Sequence, residues 1–404
     1  MAQIAGIRDT RQSITGEGSL VRYVDDQISL LEPNETPLVT LLMQLKKRSA
    51  VYSPRVEWLE DDYVARWGQV DGTTVNSNTG STTVGVTDGT LFVVGDIAVV
   101  PKAFTSSAAP EMIRITAIAT NSLTVVRAVG SSVDTIPANA ALRILGSAAA
   151  EGDTPPSAKT TNVATKTSYC QIFRTAINLS KTQVASKLYG RPNGERKREQ
   201  KKKLVEHKQK MNASALFGSA SEGLTAGANG GPLRTTAGLN SVISTNITDA
   251  AGLLTKKTFE AFSRQAFRYG ASQKLLLAAP RIISAIHDWG NSFLLVSPGE
   301  KMLGVNVEKV QTGHGVFVLA RDWMLEDGIA GQNGFGASAF SIDLDAASYF
   351  YLEGNGETRD TKILEDVVKD GRDAYVDEIL TEGGYKFQYE KKFAKLFNVT
   401  DYSV

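Results

Sequence analysis

Cysteine is almost missing from this chain of 404 residues: Cys170 stands alone. An intramolecular disulfide is therefore excluded, and the composition fits a reducing compartment or a particle built inside a cell. Histidine is nearly as scarce. His207, His287 and His314 lie far apart, which leaves HExxH motifs, Cys/His zinc sites and a Ser/His pair without support. No apolar run approaches about 18 residues, and the opening MAQIAGIRDTRQS has no apolar h-region, so neither a membrane span nor secretion is expected. A charge surplus is also lacking, because 44 basic residues face 43 acidic ones. Any role with nucleic acid has to be local.

Other chemistry-bearing patterns thin out on inspection. The Gly-rich GANGGP is not followed by Lys-Ser or Lys-Thr, so it is a joint and not a phosphate cradle. Asp343 and Asp345 with Glu353 and Glu357 miss the spacing of a calcium loop and read as a solvated strand edge. Cys170 sits among strand formers and reads as a buried structural thiol. No catalytic residue, metal ligand or cofactor site is expected.

What is present in quantity is helix-forming charge. Between Arg191 and Lys210 stand nine Lys or Arg and three Glu, and from Glu195 to Phe217 there is no Gly or Pro. This predicts a helix of about 34 Å, capped by Asn193 and closed by a left-handed Gly218. Its first two thirds is polar all round. Leu204, Met211 and Ala215, with Val205 and Leu216 beside them, form an apolar stripe toward its far end. Glu199 with Lys203 and Glu206 with Lys210 have the spacing of supporting pairs. The lysines read either as a solvated face or as a surface turned to a polyanion.

The rest of the chain frames this rod. Residues 1 to 18 read as an extended arm, followed by a short amphipathic helix from Leu20 to Leu31. A second helix begins near Pro37, with Leu38, Leu41, Leu42 and Leu45 on its face. From about Thr74 to Ser147 the chain is rich in Thr, Val, Ile and Gly, predicting an all-β unit of four to six strands with a turn at Asn121-Ser122. Extended segments lead into and out of it. After the rod, a helix with Phe259, Phe262 and Phe267, the strand KLLLAAP, the helix PRIISAIHDWG and a hairpin around Gly313-His314-Gly315 alternate as in an α/β or α+β lobe. Long strands with outward charged residues follow Ala339 and are expected to pack on the rod.

This order of elements, with EGDTPPSAKTTNVATKTSYCQIFRTAINLSKTQVA followed by KREQKKKLVEHKQKMNASALFG, resembles the tailed-bacteriophage major capsid proteins of the Hong Kong 97-like fold. The nearer likeness is to the branch with a β-domain inserted in the extended loop. The resemblance implies an α+β fold: an N-terminal arm and short helices at 1–48, an extended loop at 49–73 and 148–180, and the inserted β-domain at 74–147. A peripheral domain with a spine helix would take 181–229 and 340–404, and an axial domain 230–339. It implies self-assembly into an icosahedral, virion-located shell of hexamers and pentamers around double-stranded DNA, put together in the host cytoplasm. A portal and a scaffolding or decoration protein would be partners. Lys201, Lys202, Lys203, Lys208 and Lys210 would then face DNA without reading sequence, while Leu204, Met211 and Leu216 anchor the helix to the terminal strands. A non-viral shell around cargo, and a hydrolase with an appended β-domain, stay open as alternatives.

Overall fold

In the strand Gln171–Ser180 every second side chain is buried, Phe173, Thr175, Ile177 and Leu179 on one face, while Ile172, Arg174, Ala176 and Asn178 are exposed. A two-residue period of this kind fixes one face against a core and the other toward solvent. The computed structural model describes residues 37–45, 47–77, 83–100, 110–149, 151–152, 154, 157–186, 194–226, 230–293, 296–302, 305–326, 336–367 and 371–403. The expected arm, the Leu20–Leu31 helix and Asn193 lie outside them. Two compact units emerge, Leu59–Thr165 and the remainder, Met1–Trp58 with Lys166–Val404.

In the larger unit, Gln171–Ser180 pairs along ten residues with the long strand Ala374–Phe387, from Ser180 opposite Ala374 to Gln171 opposite Gly383. Ala347–Gly354 flanks the other side of that strand and Arg48–Val51 lies outermost. The long strand is buried on both faces from Asp377 to Tyr385. Its charged residues therefore do not point to water as the sequence had suggested. Asp377 meets the rod, while Glu378 and Glu382 are paired on the other face by Arg174 and Arg359.

A second sheet has seven strands, in the order Ile247–Leu254, Ala394–Tyr402, Ala337–Ile342, Gln273–Ala278, Val316–Arg321, Val305–Gln311 and Val296–Met302. Helices Lys256–Ala266 and Pro280–Phe293 pack on it, with Phe259 against Phe262, Trp289 and Phe317. The chain after Ala339 is thus divided: Ala347–Gly354 and Ala374–Phe387 join the first sheet, and Ala394–Tyr402 joins the second. One hydrophobic core runs through both, from Leu38 and Leu42 of helix Pro37–Gln44 to Leu396 and Val399. The Asp343–Asp345 segment is a turn and not a strand edge, and only Asp345 faces solvent as expected. Asp343 is almost wholly buried, and its carboxylate accepts the amides of Ala271 and Asp345.

The smaller unit holds six strands in the order Trp67–Gln69, Ala141–Ser147, Asp96–Val99, Met112–Ala119, Ser122–Val126 and Thr83–Gly85. The two outermost meet, since Asp71 N donates to Gly85 O at 3.0 Å and Thr87 N to Gln69 O at 2.9 Å. The sheet closes on itself and leaves no open edge there. Val70, Val84, Ile113, Ile115, Leu123 and Leu142 fill its interior. Its first strand starts at Trp67, ahead of Thr74, and the hairpin bends at Thr120-Asn121, one residue earlier than expected, with Thr120 at a φ of 51°.

Candidate functional site

The rod is a helix of 23 residues, Glu195–Phe217. Its ends differ from the sequence expectation. Gly194 occupies the N-cap and makes no side-chain cap bond, while Gly218 has a φ of −57° and is not left-handed. Glycine is required at 218 for space: a Cβ there would collide with Ser214 O and lie 2.7 Å from Thr236 O.

One face of the helix is fastened to the first sheet by polar groups. Arg196 grips Asp377 with two bonds, Nε to Oδ2 at 2.7 Å and Nη2 to Oδ1 at 2.5 Å. Gln200 Nε2 donates to the same carboxylate at 2.9 Å, and the Asp366 amide at 3.0 Å. Burial works to raise the Asp377 carboxyl, but Arg196 and these other donors hold it below the usual carboxylate range. Arg196 also lies over the Tyr375 ring, 4.8 Å from its centre.

Two turns on, His207 is fully buried between Thr175 and Thr381. Nδ1 is 3.0 Å from Thr175 Oγ1, and Nε2 is 2.9 Å from Thr381 Oγ1. The direction of each proton follows from its neighbours. Lys210 Nζ can only donate, and it does so to Thr175 at 3.3 Å. Thr175 then gives its own proton to Nδ1, Nε2–H donates to Thr381, and Thr381 donates to Thr361 at 2.9 Å. Every member is satisfied with a neutral imidazole. Burial and the Lys210 charge push His207 down to about 4.

Beyond His207 the contacts turn apolar. Met211, Ala215 and Leu216 are fully buried in the main core. Leu204 is half-buried against the smaller cluster of Ile177, Leu179 and Ile379. Tyr385 Oη donates to Met211 O at 3.0 Å, and Asn212 Nδ2 to Asp322 Oδ2 at 2.9 Å.

The five lysines do not share a face. At about 100° per residue, Lys201 and Lys208 fall on one flank together with Lys197, Lys203 and Lys210 fall on the other, and Lys202 lies nearly opposite the sheet. Lys201 and Lys210 are exposed and the other three half-buried. Lys203 pairs with Glu206 at 2.7 Å, so Glu206 serves it and not Lys210, whose ammonium reaches Thr175. His207 and Asp377 were missed as site residues. The signal for His207 was present: Gln200, Leu204, His207 and Met211 make one stripe at i, i+4, i+7 and i+11.

Among the described residues no three His, Cys, Asp or Glu side chains gather where they could hold a metal ion, and no helix is long and apolar enough to cross a membrane. Cys170 is buried, which pushes its thiol up to about 12.

A family model described as SU10 major capsid protein matches residues 8–400. The chain belongs to this family. As a major capsid protein it is a subunit of a shell assembled from copies of itself, and its place is the virion. No curated protein matches it in sequence. Among solved structures, the capsid of the native GTA particle is similar with a TM-score of 0.49 and 9% identity, over 97% of this chain and 99% of that one. A chain of Gordonia phage Cozz gives 0.47 and 10%, over 100% and 97%. The SrpI encapsulin complex of Synechococcus elongatus gives 0.42 and 10%, over 60% and 80%. At such values these likenesses add nothing to the assignment, which rests on the family match.

Proposed function

We propose that copies of this chain form the icosahedral head of a tailed phage, in the Hong Kong 97-like fold, around packaged double-stranded DNA. The observation that carries this reading is the major capsid protein family match across residues 8–400. The long helix laid on a sheet that includes a strand from near the chain end suits a spine helix. Hexamers and pentamers, a portal, and a scaffolding or decoration protein belong to the same reading, as does assembly in the host cytoplasm without a catalytic role. The Leu59–Thr165 unit is read as a β-domain inserted in the extended loop; normal heads after deletion of 74–147 would show that assembly does not need it.

The DNA contact is assigned to Lys201, Lys202, Lys203, Lys208 and Lys210, with most of the weight on Lys202 and Lys208. Support comes from the opposite face, where Arg196, Gln200 and His207 are committed to the sheet, and from Lys203 and Lys210, which already have protein partners. Contacts of this kind neutralise phosphates without selecting sequence. The triple variant K201E/K202E/K208E is expected to assemble and to retain less DNA per particle. Unchanged assembly with unchanged DNA retention removes these lysines from the account.

A further inference from the structure

The helix Lys256–Ala266 buries Phe259 and Phe262 and turns its other side to solvent. There Arg264 and the following Arg268, four residues apart, line an open cleft of about 600 Å³ with Gln265, Phe267 and His314. Among the described residues no acidic side chain lines it. His314 comes from the hairpin between Val305–Gln311 and Val316–Arg321, and its tip is well held. Thr312 Oγ1 donates to Gly315 O at 2.8 Å and accepts the amides of His314 and Gly315 at 3.4 and 3.3 Å. Gly315 lies so close to the Phe267 ring that a Cβ would stand 2.6 Å from it and 2.7 Å from Ser272 O.

Several guanidinium groups of this chain are matched with carboxylates, Arg127 with Glu111, Arg174 with Glu378, Arg196 with Asp377 and Arg359 with Glu382, while Arg143 and Arg321 stack over Trp67 and Trp323. Among the described residues Arg264 and Arg268 have no such partner, and Arg268 only stacks over Tyr269, 5.4 Å from its centre. The carbonyl end of the helix would ordinarily repel an anion here. It is occupied instead by Lys274, whose buried Nζ donates to Ala266 O at 2.6 Å and Tyr269 O at 2.7 Å.

We propose that this cleft binds the terminal phosphate of a small polyphosphate anion, as found in pyrophosphate or a nucleoside triphosphate. Two guanidinium forks, an imidazole and an amide offer more donors than one carboxylate accepts, whereas a terminal phosphate has three acceptor oxygens and a charge near −2. Convergence on one spot also suits a terminal phosphate better than the singly charged diesters of a duplex. The arginine fork, not charge alone, is the recognising feature.

The test is calorimetric titration of the full chain with inorganic pyrophosphate, for the parent protein and for R264A/R268A, R264K/R268K and the control R321A, with citrate and a short DNA duplex as competing arms. Pyrophosphate is expected to bind the parent and R321A alike, at least tenfold more weakly to R264A/R268A, and at an intermediate level to R264K/R268K. The lysine variant keeps the charge and serves if the alanine variant misfolds. Absence of binding to the parent, equal binding by parent and both Arg264/Arg268 variants, or citrate binding as tight as pyrophosphate overturns the proposal. Displacement of pyrophosphate by duplex DNA overturns it too, and assigns the cleft to a nucleic-acid backbone.

Discussion

Arg196 and Asp377, 181 residues apart in the chain, are joined by two hydrogen bonds of 2.7 and 2.5 Å across the interface between the long helix and its sheet. Asp377 is almost fully buried and Arg196 is partly exposed. Breaking such a pair from one side strands a buried charge. R196A is therefore expected to cost about 3 kcal/mol, against about 0.5 kcal/mol or less for K201A on the same helix. Urea midpoints of the unassembled chain decide the comparison.

His207 makes stability depend on pH. The unfolded chain takes up this proton near 6.5 and the folded chain only near 4. Between those values the unfolded state binds more protons, so stability falls as pH is lowered through the window, by about 3 kcal/mol in all. H207Q is expected to flatten the profile of unfolding midpoint against pH between about 6.5 and 4. A parallel profile for both proteins would show that His207 does not titrate in this range.

A buried knot holds the smaller unit. Arg127 binds both oxygens of Glu111, at 2.6 and 2.8 Å, and donates to the carbonyls of Asn76 and Asp134. Burial pushes the Glu111 carboxyl up, yet Arg127 and the amides of Asp134 and Ala128 hold it below the ordinary range. R127M leaves that carboxylate buried without its main partner and is expected to cost about 3–5 kcal/mol. Hydrogen exchange should accelerate throughout the Leu59–Thr165 unit.

Gly218 separates two causes of glycine use. Its φ of −57° is open to any residue, so the cost of G218A lies in the collision with Ser214 O and Thr236 O. An overpacking penalty of about 1–3 kcal/mol is expected, with helix content unchanged by circular dichroism. A neutral effect would mean that the backbone gives way there.

The long helix was legible because 23 residues without Gly or Pro have few other options, and the strand Gln171–Ser180 because its alternation is strict. Asp377 was not. A carboxylate in a strand reads as solvent-facing until Arg196, distant in sequence, is placed beside it. The same holds for Glu111 and Asp343, whose partners are set by tertiary contacts. The lysines were visible as a group, but their spread over two flanks and the side away from the sheet follows from where the sheet contacts the helix. Arg264, Arg268 and His314 could not be joined from sequence, since 46 to 50 residues separate the hairpin tip from the helix end.

The central claim is that copies of this chain close into a shell that holds DNA. Electron microscopy of particles purified from infected cells, combined with their mass and nucleic-acid content, tests it most directly. The account predicts closed icosahedral heads built mainly of this chain and filled with double-stranded DNA. Closed particles carrying protein cargo and no DNA, or a chain that stays unassembled under all conditions, would contradict it.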